Sequence, residues 1–155
     1  MTAATSLLVF RIEGTRIAVD LQHVERVVRA AALSPIPGAP DTVHGLLNLN
    51  GIPVPIVNLR KKLGLGADAE LDTNDEIIIF RNQQALIGIV VDEVEDVKPI
   101  KEFDLNPIAE EADLPHLTSA ANIGGKIVLV HNIEKFLSSK EEHQLATAII
   151  RSLRP

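Results

Sequence analysis

The sequence predicts a mainly β fold of barrel or sandwich type, with a few short helices and a helix at the C-terminal end. Three observations carry this. The apolar share is aliphatic and rich in β-branched residues, with 17 Ile, 14 Val and 19 Leu against 4 Phe and no Trp or Tyr, and β-branched side chains suit a pleated, half-buried surface. Those residues fall in short runs that alternate with period 2. Gly, Asn and Pro punctuate the runs at short intervals, the pattern of closed or stacked antiparallel sheets and not of a parallel α/β fold. At 155 residues, and with about 150 residues per domain as a prior, the chain is expected to form one compact unit.

The strands read off in order. Leu7 to Ile12 alternates, and Glu13-Gly14-Thr15 turns the chain into a second strand from Arg16 to Val19. Ile52, Val54, Ile56 and Val57 make a third, despite Pro53 and Pro55. Because proline has no N–H for a ladder, this strand is expected at a sheet edge or with those positions aimed outward. Glu76 to Arg81 and Ala85 to Val91 read as a hairpin closed near Asn82-Gln83, and Ile127 to Val130 follows the turn Gly124-Gly125. Asn50-Gly51 is the strongest hairpin signal, since both residues tolerate the positive φ of a type I′ turn.

Three helices are predicted. From Leu21 to Ala31 the residues Leu21, Val24, Val27 and Val28 recur on one helical face, with Asp20 as N-cap. A short one covers Leu59 to Leu63 and stops at Gly64. Ser139-Lys140-Glu141-Glu142 fits a capping box, and Leu145, Ile149 and Leu153 then recur every four residues towards Pro155. Gly64 to Asp75 and residues 102–122, broken by Pro107 and Pro115, read as irregular. No low-complexity tract and no clear sequence repeat is visible.

Composition and motifs exclude much chemistry. Fifteen basic against 21 acidic residues leave a net charge of −6; an acidic chain almost without aromatics is a poor partner for nucleic acid. With no Cys, disulfides, thiolate metal sites and a cysteine nucleophile are ruled out. The five histidines, at 23, 44, 116, 131 and 143, lack metal-site spacing. No G-x-S-x-G elbow is present, and Gly124-Gly125-Lys126 lacks the rest of a phosphate loop. No cofactor is expected. The segment Val91-Asp92-Glu93-Val94-Glu95-Asp96-Val97 reads as acids facing water around three anchoring valines. Its alternative reading is a small enzyme using the 92–96 carboxylates, which requires a cleft and raised carboxylate pKa values. The N-terminus has no basic start, and no run approaches the roughly 20 apolar residues of a membrane span, so a cytoplasmic protein without membrane insertion is expected.

Four stretches, taken in order, resemble the CheW-type coupling proteins of bacterial chemotaxis. They are LLVFRIEGTRIAVDLQHVERVV, LSPIPGAPDTVHGLLNLNGIPVPIVNLRKKLGL, ALIGIVVDEVEDV and ANIGGKIVLVHNIEKFLS. The resemblance implies two packed SH3-like five-stranded β-barrels within a CheW-like domain at 7–138, followed by an amphipathic helix at 139–155. It implies a non-catalytic adaptor that couples the cytoplasmic tips of methyl-accepting chemoreceptors to the regulatory domain of a CheA-type histidine kinase. Such an adaptor is recruited to membrane receptor arrays, with contacts to itself in rings as a further expectation. The alternative within this class is a diverged coupling-like scaffold in a pilus-motility or other chemosensory pathway.

For the receptor tip the resemblance points to Val24, Val27, Asn50, Ile77 and Val97. For the kinase or ring contact the candidates are Gly51, Ile52, Val54 and Ile56, in the strand and its flanking turn, because an edge strand or barrel end is a natural mating surface. The chain departs from the family where Asn48-Leu49-Asn50-Gly51 replaces Asn-Leu-Arg-Gly, exchanging an arginine fork for a short neutral amide. Asn58 stands where the family commonly has Asp, so an Arg–Asp pairing lost as a unit is an expectation to test.

Overall fold

The computed structural model describes residues 6–65, 72–82, 85–99, 103–107, 117–132 and 137–152. Among these residues, eleven strands form two sheets. In chain order they are β1 (Ser6–Ile12), β2 (Thr15–Asp20), β3 (Val24–Arg29), β4 (Val43–Leu49), β5 (Ile52–Val57), β6 (Glu76–Asn82), β7 (Ala85–Val91), β8 (Glu93–Pro99), β9 (Phe103–Pro107), β10 (Leu117–Ile123) and β11 (Lys126–His131). Helix α1 covers Leu59–Leu63 and α2 covers Ser139–Ser152. The first sheet has the order β8-β1-β2-β11-β10-β9 and the second β3-β6-β7-β5-β4. The second is thus one continuous stretch of chain, inserted between the first sheet's opening hairpin and its remaining strands.

Three apolar clusters explain the packing. Leu7, Val9, Ala18, Ala121, Ile123, Val128 and Val130 fill the first barrel. Leu47, Val54, Ile56, Ile77, Ile79 and Val90 fill the second. Between them lies a larger shared core that includes Leu8, Phe10, Ile12, Ile17, Val19, Ile78, Phe80, Ile87, Ile89 and Val91. Strands β1, β2, β6 and β7 are therefore buried on both faces. This accounts for their near-continuous apolar runs, since alternate residues serve different cores.

The two halves repeat each other. Residues 7–28 and 77–98 correspond at a constant offset of 70, which matches Phe10-Arg11 to Phe80-Arg81 and Val24-Glu25 to Val94-Glu95. Strand β3 pairs with β6 through Val24 opposite Phe80, Arg26 opposite Ile79 and Val27 opposite Ile78. Strand β8 pairs with β1 through Val94 opposite Phe10, Asp96 opposite Val9 and Val97 opposite Leu8. Hairpin β4–β5 matches β10–β11 in the same way, with Asn48 opposite Pro53 and Asn122 opposite Ile127. Each hairpin also joins its sheet by a short parallel pairing, Ile56 with Gly88 and Val130 with Ala18. The repeat escapes a reading of the sequence because only a few identities survive; register reveals it.

Several expectations are corrected. The stretch from Leu21 to Ala31 is not a helix. Asp20 does cap a turn, accepting from Gln22 N at 3.0 Å, but that turn is a 3₁₀ segment ending at His23. From Val24 the chain is β3, and a bulge at Glu25 puts Val24 and Val27 on one face of the sheet. The extra residue turns a spacing of two into three and imitates helical periodicity. Residues 102–122 contain β9 and most of β10. Strand β5 has a neighbour on each side and is not an edge; of the two alternatives for its prolines it is the outward one that holds, with Pro53 exposed while Val54 and Ile56 are buried. Its prolines are tolerated because β7 pairs only at Ile56 and Val57, while Pro55 lies opposite Leu46, whose N–H and C=O bond to Ser34 instead. The first sheet carries a sixth strand beyond the five expected.

Other local predictions hold. Asn50 and Gly51 both have positive φ, at 51° and 88°, and Asn48 Oδ1 accepts from Gly51 N at 2.7 Å. Helix α1 is capped by Asn58, whose side chain accepts from Lys61 N, and ends at Gly64 in the left-handed region. The capping box of α2 sits one residue earlier than read: Ser138 Oγ accepts from Glu141 N at 3.1 Å, and Glu141 Oε1 from Ser138 N at 2.9 Å. Leu145 and Ala148 seat the helix on the shared core; Leu153 and the Asn82-Gln83 turn fall at or beyond the limits of the described residues.

Phe10 and Phe80 occupy equivalent, fully buried places in the shared core. Phe10→Ala and Phe80→Ala are each expected to cost about 3–5 kcal/mol, with values agreeing to about 1 kcal/mol, read by urea unfolding followed by far-ultraviolet circular dichroism.

Candidate functional site

The repeat places two bulged strands, β3 and β8, at the outer edge of the second and first sheets respectively. Residues opposite each other in a ladder share a face. Val24 and Val27 therefore lie on the face of Phe80 and Ile78, and Val94 and Val97 on that of Phe10 and Leu8. Both faces are those of the shared core. Val24 and Val94 are half-buried against it, whereas Val27 is 37% and Val97 42% exposed. The core thus emerges at its rim as valines.

Ion pairs hold these edges. Glu25 accepts from Arg81 Nε at 2.8 Å, Glu95 from Arg16 Nε at 2.9 Å and Glu93 from Arg11 Nη2 at 2.7 Å. The hydrogen bond and charge of Arg81 lower the Glu25 pKa. Hydrogen bonds from Lys98 and from the backbone of Val97 lower that of Asp96. The acidic run is therefore dispersed and neutralised by partners, and Asp96 shifts in the direction opposite to that required by an acid–base enzyme.

The sequence reading missed the buried ionic centre. Arg60 of α1, only 6% exposed, lies with Nε 3.0 Å from Glu13 Oε1 and Nη2 3.8 Å from Asp75 Oδ1, and Nη2 also donates to Asp92 Oδ1. Asp92 Oδ2 accepts from the backbone N of Glu13 at 2.8 Å. Glu13 is in the β1–β2 turn of the first barrel and Asp92 is where the chain crosses between sheets, so Arg60 ties the second barrel to the first. Burial, and then the nearby Arg60 charge, lower the His44 pKa. Nothing in the sequence separates Arg60 from Lys61 and Lys62 beside it; only the tertiary fold brings three carboxylates to one of them.

The residues expected at partner contacts divide. Val24 and Val27 on β3 and Val97 on β8 each lie on the shared-core side of their own edge strand. Ile77 does not join them: it is fully buried and faces the second barrel's interior. Asn50 lies at the β4–β5 tip, across β6 and β7 from β3. Gly51 and Ile52 share that tip, with Ile52 52% exposed, but Val54 and Ile56 have no exposed surface and act through packing alone. The paired loss of an Arg–Asp interaction is also corrected. Asn50 and Asn58 stand at opposite ends of β5, separated by about 20 Å at a strand's rise per residue, and Asn58 serves as the α1 cap.

Among the described residues no group of His, Cys, Asp or Glu could hold a metal ion, and no helix is long and apolar enough to cross a membrane. Two small barrels with apolar edges and ionic locks define a protein-binding module. A CheW-like domain family model matches residues 6–141, and this chain belongs to that family. It is 30% identical over 143 residues to chemotaxis protein CheW of Klebsiella aerogenes, covering 90% of this chain and 86% of the relative. It is 24% identical over 141 residues to protein FrzA of Myxococcus xanthus, covering 88% of each. The solved scaffolding protein TtCheW from Thermoanaerobacter tengcongensis shares the fold, with a TM-score of 0.77 at 21% identity over 91% of this chain and 92% of that one.

Two outcomes follow. Because Asn50 and Asn58 are far apart, the double-mutant cycle of Asn50→Arg and Asn58→Asp is expected to be additive within about 0.5 kcal/mol in urea unfolding. Glu141 binds Lys62 Nζ at 2.6 Å, Ser138 N at 2.9 Å and the Thr42 hydroxyl. Burial raises its pKa, but these bonds and the Lys62 charge outweigh that and hold it at about 2, below the ordinary 4.5. As pH falls the unfolded chain takes up this proton first, so the carboxylate's contribution is complete above pH 4.5 and disappears between there and pH 2. Glu141→Gln is expected to lose about 2 kcal/mol at neutral pH and to unfold with a flatter dependence across that acid range.

Proposed function

We propose that this chain is a non-catalytic coupling adaptor, placed in the cytoplasm and recruited to membrane receptor arrays, that joins the cytoplasmic tip of a methyl-accepting chemoreceptor to the regulatory domain of a CheA-type histidine kinase. The observation that carries this reading is the pair of apolar edges on the shared-core side of the two sheets, Val24 and Val27 on β3 and Val97 on β8, with ion pairs beside them. A receptor tip is a helical hairpin, and an amphipathic helix seats its apolar face on such an edge while polar groups set its register. The hairpin tip with Asn50, Gly51 and exposed Ile52 supplies the kinase or ring contact, through side chains where they are exposed and through packing at Val54 and Ile56. The unit at 7–138 makes the contacts and the helix from 139 braces it. Neither nucleic acid nor a cofactor has a part.

Asn50 favours a second reading, because the arginine fork found at that position in the family is absent: a diverged coupling-like scaffold serving another chemosensory or pilus-motility pathway. Calorimetric titration against the kinase regulatory domain, and co-sedimentation with receptor-containing membranes, separate the two. Native binding to the kinase domain at about micromolar Kd, roughly −8 kcal/mol, is expected. Val27→Glu and Val97→Glu are expected to weaken receptor co-sedimentation about tenfold or more while leaving kinase binding intact. Equal receptor binding by both variants overturns the assignment of these edges. Kinase binding only after Asn50→Arg moves the chain to the second reading.

A further inference from the structure

The internal repeat shows what each edge should carry, and among the described residues one edge lacks it. In the first sheet the outer side of β10 is covered by β9, with Phe103 to Pro107 paired against Ile123 to Ser119. The equivalent positions in the second sheet are Leu49 back to Gly45 of β4. Among the described residues only Ser34 pairs there, exchanging two backbone hydrogen bonds of 2.8 Å with Leu46. Hydrogen-bonding direction alternates along an antiparallel strand, so Asn48, two residues on, turns its N–H and C=O outward in the same way. Across the ladder it faces Pro53, which has no N–H to give. Beside this edge is a depression of about 270 Å³ lined by Ser34, Leu46, Leu47, Asn48, Gly51 and Pro53, with Ile52 exposed nearby.

We infer that this edge of β4 is a docking site for an extended segment of a partner protein, which adds as an antiparallel strand over Leu49, Asn48 and Leu47. The residue opposite Asn48 exchanges two main-chain hydrogen bonds with it and is not proline. Its two neighbours lie opposite Leu49 and Leu47, on the side of the second barrel's core, and are apolar. The segment ends or turns before Leu46, where Ser34 stands. The repeat carries its own template for the pattern apolar–any–apolar: Phe103-Asp104-Leu105 pair with Ile123, Asn122 and Ala121, the counterparts of Leu49, Asn48 and Leu47. A second copy of β4 does not fit, because antiparallel pairing about Asn48 would set each copy's Asn50 opposite the other's Leu46, the place of Ser34. Strand addition is a common mode of peptide capture, in which the backbone supplies affinity and alternate side chains supply selectivity.

The test uses the full chain, labelled with ¹⁵N, and the capped synthetic peptide corresponding to residues 100–105. Saturable shifts confined to Leu47, Asn48, Leu49 and the Asn50-Gly51 turn are expected. At saturation, hydrogen exchange at the Asn48 amide should slow about tenfold or more. The peptide carrying Asp104→Pro should fail to bind, and so should a chain carrying Asn48→Pro. The peptide variant decides the matter alone if the chain variant does not fold. No shift at millimolar peptide, shifts on β10 through exchange with β9, or equal binding by the proline peptide overturns the inference. So does protection of the Asn48 amide in the free chain, whether it persists on dilution, meaning cover by another part of the chain, or disappears, meaning a second copy.

Discussion

Everything in this structure depends on two hairpins being buried on both faces. Strands β1–β2 and β6–β7 each give one set of side chains to their own barrel and the alternate set to the shared core. A barrel of this size has little interior, and small domains bury too small a fraction of their surface to stand alone comfortably. The shared core supplies the missing burial for both. The third strand of each half crosses into the opposite sheet, β3 to β6 and β8 to β1, so neither barrel is completed by its own half of the repeat. The pair is consequently expected to behave as one cooperative unit.

The crossings determine where function can be placed. A strand that changes sheets ends at an edge, and both edge strands carry a bulge with Glu at the extra position. Bulges raise local twist and discourage edge-to-edge association. Here each also brings a second valine round to the shared-core face. The same device therefore discourages edge-to-edge pairing and leaves a valine exposed on each of the two edges. Arg60 supports the arrangement, because a buried guanidinium favours the relative placement of the barrels that keeps Glu13, Asp75 and Asp92 within ion-pair range of it. Removing a carboxylate that faces a buried guanidinium is costly, and this limits how far the barrels can shift.

The halves have not stayed equivalent. Strand β9 closes the outer edge in one barrel, and among the described residues a single bridging residue, Ser34, does so in the other. Helix α2 adds to the asymmetry: through Glu141 it reaches Thr42 and Lys62, and through Gln144 the carbonyl of Gly38, all in the inserted barrel. A symmetric duplication has become a module with distinct ends, as a bridge between unlike partners requires.

Much of this was legible in the sequence, and for local reasons. The strands β1, β2, β5 to β7 and β11, the Asn50-Gly51 turn, the short helix between Asn58 and Gly64 and the capped terminal helix follow from alternation, positive φ and side-chain capping, each decided within a few residues. The motif series identified the family, and composition excluded thiolate and disulfide chemistry. Tertiary structure decided the remainder. Whether Val24 and Val27 belong to a helix or a bulged strand depends on β6, a partner more than 50 residues away. Whether Ile77 meets a partner or fills a barrel depends on which of two cores lies on its side of β6. That Arg60, and not Lys61 or Lys62, anchors the junction depends on carboxylates from three distant turns and strand ends. The sequence by itself determined the elements and the kind of protein; the pairing of sheets decided which residues reach the surface, because burial and charge pairing belong to neighbours brought together across the chain.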